Sequence, residues 1–584
     1  MEEQYGINDG GRNFVKFWKM YKCGKSHFSV TKSHNPVREN TPKLTHLRPF
    51  NQIRLYHTYL LSKNKCTRFV ASFPYYSCRA QDSTFQTQHF FHFMLTKTDQ
   101  DTLQSYLSDA SNMPGGSAER ILIPETQAEL RTAVQMCAHE EQAITIAGSG
   151  TGLTGARVPL GGTVISTERL NKIVSIDAER LRAVVEPGVS LLDFQTAVEE
   201  QGLLYPPDPT ERAAAMGGTV ACNSSGARTF KYGATREFIE RLRIFLPDGE
   251  ELNIRRGTVF AKGNTLTLTS TSGKEYTLPL PTIQMPAIKH AAGYFIKPDM
   301  DAIDLFIGSE GTLGAIAEIE VRLLPQPERI IAGVIFFDAL DNVMHFVNEA
   351  RAASLKTRSQ SNVEVGIDSR ALEYFDRNAL DFIRDEYPNI PPAAAAAVWF
   401  EQEVTDASEE RLLELWYELI GKYTPFMDEA WFAITEKDQE ELRAFRHAVP
   451  AKTYERIREL QQRKIGTDMA VPDAHFRALY DFYTEEFAKE RLQYIIFGHI
   501  GNSHVHANIF ASTPEEFNHA KSVYHRCVLK ALELGGTVSA EHGVGKIKRD
   551  YLRDMYGAEA MSDFAALKLV LDPKGLFGRG TMFA

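Results

Sequence analysis

Two short stretches carry residues whose types and spacing could do chemistry: GHIGNSHVH at 498–506 and SAEHG at 539–543. They place His499, His506 and Glu541 where a divalent metal could be held, with His542 free beside them. Two neutral imidazoles and a carboxylate are borderline ligands that suit Zn, Mn or Fe. A metal held with an open position can take a substrate oxygen and lower its pKa. The alternation of YIIFGHI and HVHANIF predicts a hairpin through 494–510 with its turn at 501–504, His499 facing His506 across it. His504 shares a strand face with His506 and is a rival ligand.

The second signal is a set of glycine-rich segments earlier in the chain. AGSGTGLTGA at 147–156 holds Gly150, Gly152 and Gly155 in GxGxxG register. A dinucleotide fingerprint of the Rossmann kind needs a helix opening at the third glycine. Pro159, Gly161 and Gly162 follow instead and forbid that helix. What remains is a loop between strands whose backbone N–H groups can cradle phosphate. PPDPTERAAAMGGTVACNSSGARTFKYG at 206–233 and DLFIGSEGTLGAIAEIEVRL at 304–323 add small-residue turns that allow close approach of a flat or phosphorylated ligand.

These three segments, in this order and spacing, resemble the FAD-binding domain of the vanillyl-alcohol oxidase / p-cresol methylhydroxylase superfamily. More narrowly, residues from about 100 to 584 resemble its 2-hydroxy-acid dehydrogenases, the group of D-lactate dehydrogenase, the glycolate oxidase flavoprotein subunit and D-2-hydroxyglutarate dehydrogenase. The resemblance implies that Gly148, Ser149, Gly150, Thr151, Gly152, Leu153 and Thr154 bind the FAD pyrophosphate. It implies that Pro207, Asp208, Pro209, Gly217, Gly218, Asn223 and Gly226 line the flavin and ribityl region. Glu310, Gly311, Leu313, Gly314 and Ile316 would hold the isoalloxazine and adenine-side contacts. The first loop has no His for a covalent tether, so dissociable FAD is expected.

The resemblance also implies a reaction: oxidation of a D-2-hydroxy acid to the 2-oxo acid. The metal on His499, His506 and Glu541 would take the hydroxyl and one carboxylate oxygen, His542 would be the general base, and the α-carbon hydride would pass to flavin N5. Arg446 falls where relatives place a substrate arginine, and Lys464 is a second cation for the carboxylate. Three departures stand out. Asn502, Ser503 and His504 replace the Asp, Gly and Asn of the family's GH-x-GDGN-x-H turn, Pro450 replaces a polar residue, and Gly578 replaces an Asn near the flavin. Two rival readings are a flavoprotein oxidase of an alcohol or sugar that uses O2, and a non-catalytic FAD-holding subunit of a larger complex.

The elements that must position these residues follow from the chain as a whole. At 584 residues it is too long for one ordinary core. A net charge of −10 argues against a general nucleic-acid binder. Residues 1–93 hold 14 basic and 5 acidic side chains, net +9, so the rest carries −19. That composition fits a targeting extension, an interaction arm or a start placed upstream of the true one near Met94. The last is favoured, and a poorly packed 1–93 is expected. The six cysteines, Cys23, Cys66, Cys78, Cys137, Cys222 and Cys527, form no CxxC pair, which excludes an iron–sulfur centre and fits a reducing compartment. Electrons must then leave to a separate acceptor: a quinone, an electron-transfer flavoprotein or a cytochrome. No apolar run is long enough to span a bilayer. A cytoplasmic protein is expected, with peripheral attachment to the inner membrane, mitochondrial in a eukaryote, left open.

The fold class expected is α+β. A two-subdomain FAD-binding domain of the p-cresol methylhydroxylase type spans 94–328, and an α+β substrate and metal-binding cap with an antiparallel sheet spans 329–560. A tail, 561–584, returns to the first domain. Within this frame MLTKTDQDTLQSYL (94–107) reads as an amphipathic helix with a cap-like Thr, and 126–140 and 190–202 as helices. Residues 144–148, 162–167, 182–188 and 331–337 read as strands, and 255–280 as a surface hairpin. Helices are expected at 341–354, 407–422, 435–461 and 472–490, the second capped by Asp406 and Glu409.

Overall fold

A computed structural model describes residues 94–360, 365–433 and 435–583. The expected basic extension, 1–93, lies outside the described residues. The first sheet is β1 (Leu95–Lys97), β2 (Arg120–Ile123), β3 (Ile144–Ala147) and β4 (Thr163–Ser166), in the order β1-β2-β4-β3. β2 and β3 both run parallel to β4, and helix α1 (Gln127–His139) makes the crossover that parallel strands require. Thr126 caps α1 by accepting from the Glu129 N–H, and Leu130, Ala133, Val134 and Cys137 form its buried face. The helix expected from Met94 is not there. Leu95–Lys97 pairs with β2, and only one turn, Gln100–Gln104, follows under an Asp99 cap. Register with the sheet outweighs a short helical period.

The second sheet is antiparallel: β5 (Ile173–Asp177), β6 (Arg182–Val185), β7 (Ile239–Phe245), β8 (Glu251–Arg255) and β9 (Ala315–Arg322), in the order β5-β6-β9-β7-β8. Along β9 the even alternation buries Ala315, Ala317, Ile319 and Val321, while Glu318 and Glu320 face out to Arg241 and Arg255. Helices α2 (Leu191–Glu199) and α3 (Met216–Cys222) lie in the connection between β6 and β7. The Thr-rich segment is a hairpin, Thr265–Thr269 with Glu275–Pro279. Ahead of the turn that precedes β9, Ala302–Leu305 is a 3-10 turn capped by Asp301.

The third sheet has seven strands: β10 (Arg329–Phe337), β11 (Ser369–Asp376), β12 (Ala396–Val404), β13 (Trp431–Ala433), β14 (Ile465–Gly466), β15 (Gln493–Gly498) and β16 (His506–Phe510). Their order is β13-β10-β12-β11-β15-β16-β14, antiparallel throughout. Helices α4 (Leu340–Ser359), α5 (Glu409–Gly421), α6 (Glu436–Glu459), α7 (Phe476–Lys489), α8 (Pro514–Glu533) and α9 (Arg549–Leu571), with a short helix at Arg377–Ile383, belong to this half. Asp406 and Glu409 do not cap α5: both pair with Arg329, and Ser408 takes the cap position without a side-chain bond. After α9 the chain returns to the first sheet, where the Ile144 N–H donates to the Leu576 carbonyl at 2.7 Å and the Gly578 N–H to the Ile144 carbonyl at 2.9 Å.

The turn between β15 and β16 differs from the expected one. Phe497, not His499, faces His506 in the register. Gly498 ends β15, and His499 opens a single 3-10 turn, Ile500–Asn502, closed by Ser503 at φ +53°. His499 reaches His506 because the chain folds back over this turn; their ring centres are 5.6 Å apart.

Candidate active site

A cavity of about 560 Å³ runs between the first two sheets and the third. One wall is the β3–β4 loop, and residues 148–154 all line it. Pro209, Gly217, Gly218, Glu310, Gly311, Gly314 and Ile316 line it as well. Other expected flavin residues stand behind the wall. The Pro207 carbonyl accepts from Gln195 Nε2 at 3.0 Å, and Asp208 pairs with Arg228 at 3.3 Å. Asn223 is a left-handed cap of α3 whose Oδ1 accepts from the Arg236 N–H. Gly226 packs on the Asp208 carbonyl, where a Cβ would come within 1.9 Å, and Leu313 is core. These residues shape the loop rather than face the cavity. At Gly578, φ is +58° and a Cβ would meet Thr312 at 2.9 Å, so no side chain fits there.

At the other end His506, Glu541 and His542 line the same cavity. His499 Nε2 and His506 Nε2 lie 3.3 and 3.0 Å from Glu541 Oε1. His504 joins them: one nitrogen from each of the three histidines and a Glu541 oxygen all lie within 4.8 Å of one another. The Nδ1 atom of His499 donates to Glu373 Oε1 at 2.7 Å, and that of His506 to the Thr467 carbonyl at 2.9 Å. With Nδ1–H used in this way, each ring in its neutral form would present an Nε2 lone pair to a carboxylate oxygen. Acceptors facing one another at this distance call for a shared cation, so the donor set fits a divalent metal. Burial opposes the charged form of Glu541, but Lys289 and His499 outweigh it and hold the carboxyl well below its ordinary range. Burial also opposes a charged His499, and Glu373 with Glu541 reverses that, so its titration lies above the ordinary value.

His542 stacks on His506 with ring centres 5.1 Å apart. Burial holds it well below an ordinary histidine despite Asp468 and Glu541 nearby, so it is neutral and able to accept a proton. Asp468 is fully buried and organises this segment. It accepts from the Glu541 and His542 backbone N–H groups at 3.2 and 3.1 Å, from Ser539 Oγ at 2.7 Å and from Lys548 Nζ at 2.5 Å. Its Oδ2 lies 3.4 Å from His542 Nδ1. The far side of the segment is tied to the glycine loop: Glu310 accepts from the Val544 and Gly545 N–H groups at 2.7 Å each, and the Lys546 N–H donates to the Thr154 carbonyl at 2.9 Å.

The two expected substrate cations differ. Lys464 lines the cavity, its Nζ 4.9 Å from the centre of the Tyr454 ring. Arg446 is buried on α6 and does not line it. Its Nε and Nη2 donate to Glu373 Oε2 at 3.2 and 3.1 Å, so the arginine is already neutralised. Glu373, Lys289 and Asp468 are site residues that the sequence reading did not single out for a role. Glu373 could have been suspected as an acid inside SRALEYFD, a strand buried at every position. Lys289, whose Nζ is 2.7 Å from Glu541 Oε2, has no local signal.

Comparison with known proteins agrees with this architecture. Residues 118–255 match the family described as FAD binding domain, and residues 326–582 the family described as FAD linked oxidases, C-terminal domain. The glycolate oxidase subunit GlcD of Bacillus subtilis (strain 168) is 30% identical over 491 residues, 82% of this chain and 92% of that protein. The chain belongs to the FAD-linked oxidases. Two other relatives of this FAD-linked oxidase are a D-lactate dehydrogenase of Anaerostipes hadrus, 27% identical over 82% of the chain and 92% of that protein, and a D-2-hydroxyglutarate dehydrogenase of Stutzerimonas stutzeri, 25% identical over 83% and 96%. Among solved structures, 4-ethylphenol oxidase from Gulosibacter chungangensis shares the fold, with a TM-score of 0.60 at 14% identity over 84% of this chain and 94% of that one. The expected p-cresol methylhydroxylase-type architecture is therefore the observed one. Among the described residues no helix is long and apolar enough to cross a membrane.

Proposed function

We propose that this FAD-linked oxidoreductase oxidises a D-2-hydroxy acid to the 2-oxo acid, using dissociable FAD and a divalent metal, and passes the electrons to a separate acceptor. One observation carries the reading: the His499, His506 and Glu541 donor atoms converge at one end of a cavity whose other end is the 148–154 loop. In this reading residues 94–328 are the flavin-binding part and 329–560 the cap, with 561–584 closing back. The backbone of 148–154, with Gly217 and Gly218, is open enough to admit the pyrophosphate closely. His499, His506 and Glu541 would hold the ion. When bound, FAD supplies the two-electron acceptor and the ion a Lewis acid beside the substrate oxygen.

The chain's own residues do the rest. His542 takes the hydroxyl proton on Nε2, which lies 3.6 Å from Glu541 Oε1, and Asp468 at Nδ1 fixes the ring that receives it. Lys464 pairs with the substrate carboxylate, and Arg446 acts through Glu373, which orients His499. The names of the relatives, a glycolate oxidase subunit and dehydrogenases of D-lactate and D-2-hydroxyglutarate, support the hydroxy-acid class. The test is anaerobic flavin bleaching against a panel of D- and L-2-hydroxy acids, with and without chelator. Bleaching by a D-acid that chelator abolishes is expected; bleaching by no hydroxy acid would refute the reading.

A further inference from the structure

We infer that the substrate is a monocarboxylic hydroxy acid with an apolar side chain, and that a second carboxylate is excluded. This inference rests on the function proposed above and adds what the cavity selects. Among the described residues two cationic side chains line the cavity, Arg157 and Lys464. Arg157 belongs to the phosphate end: it packs on Gly150, where a Cβ would lie 2.1 Å from its Nη1. Its Nη1 donates to the Ser108 carbonyl at 3.0 Å. Among the described residues Lys464 is then the one cationic side chain that lines the cap end, and it joins the ion on the substrate's single carboxylate. Arg446 is no reserve, because Glu373 holds it at 3.1 Å away from the cavity lining. Lys289 is no reserve either, since its Nζ is 2.7 Å from Glu541 Oε2.

The wall chemistry points the same way. Around Lys464 and the metal group the lining is Pro450, Thr453, Tyr454 and Phe497, with the Thr453 hydroxyl already donating to the Val449 carbonyl at 2.7 Å. Pro450 sits inside α6 one turn after Arg446 and offers no N–H donor to a carboxylate. The Phe497 ring lies 6.1 Å from the His506 ring, so an apolar surface borders the metal group. A second carboxylate placed here would be buried without a partner, whereas an alkyl or aryl side chain would be desolvated favourably.

The test is stopped-flow flavin reduction of the FAD- and metal-loaded full chain under anaerobic conditions. The substrates are D-lactate, D-2-hydroxybutyrate, D-2-hydroxyisocaproate and D-phenyllactate against D-malate and D-2-hydroxyglutarate. The best monocarboxylate is expected to exceed both dicarboxylates in kcat/KM by about 30-fold or more, the scale of one buried unpaired charge. Lys464→Met should raise KM for the monocarboxylates with a smaller change in kcat. Tyr454→Arg, at a side chain 40% exposed and so tolerant of change, should raise kcat/KM for the dicarboxylates about 10-fold by supplying the missing cation. Dicarboxylates oxidised as fast as the best monocarboxylate by the unaltered protein would overturn the inference while leaving the hydroxy-acid reading intact. No reduction by either series would overturn that reading, and this inference with it.

Discussion

At the glycine loop, 148–154, the cavity wall is largely backbone, while at His506, Glu541 and His542 it is imidazole and carboxylate side chains delivered by two distant segments. Two buried glutamates show the difference. Glu310, at the loop end, has both oxygens held by the peptide N–H groups of Val544 and Gly545. Burial pushes its carboxyl up to about 7 from an ordinary 4.5, because those dipoles only partly offset desolvation. Glu373, at the metal end, is equally desolvated, yet His499 and Arg446 hold its carboxyl far below the ordinary range. One end is thus held by geometry and the other by charge. Geometry is damaged by adding atoms, and charge by removing one partner.

That contrast can be broken most sharply at the ligands. Glu541→Gln keeps the shape and removes the charge, and flavin reduction should fall by about three orders of magnitude with loss of bound metal, read by stopped-flow and by elemental analysis of the dialysed protein. Next is the outer contact. Glu373→Gln cannot accept from both His499 and Arg446, and metal affinity should weaken about 10–100-fold while FAD content stays constant. FAD lost together with the metal would contradict the separation of the two ends.

At the loop end the informative change adds a methyl. Gly545 has φ +53°, and a Cβ would sit 2.1 Å from the Thr154 carbonyl oxygen. Gly545→Ala should cost about 2–3 kcal/mol in denaturant unfolding and loosen FAD, with metal content less affected. A further expected effect is in pH. Glu310 has a raised pKa in the folded protein, so its contribution to stability is full below pH 4.5 and is lost as pH rises through about 7. The slope is at most about 1.4 kcal/mol per pH unit, and Glu310→Gln should flatten it in unfolding curves taken across that window. An unchanged slope would mean that another group carries it.

Much of this architecture was legible in the residues. The alternation of AIAEIEVR and the capped period of QAELRTAVQMCAH are local patterns that survive in the fold because one face of each is buried. The proline and glycines after Gly155 correctly ruled out a helix there. Short or borderline segments were less legible. Leu95–Lys97 became a strand because β2 offered unpaired backbone groups, and His499 left its strand because Gly498 and Ser503 permit a tight turn. Asp406 and Glu409 were drawn from capping by Arg329, a partner about 80 residues away.

The sequence by itself determined which groups are available for chemistry and where the backbone can come close to a ligand, since ligand type and glycine placement are local properties. The tertiary structure alone decided which cations remain free. Arg446 and Lys464 read alike along the chain, and only the packing of β11 against α6 brings Glu373 to the one and leaves the other facing the cavity. Charge pairing depends on distances of a few ångströms between residues far apart in sequence, and local pattern contains no such distances.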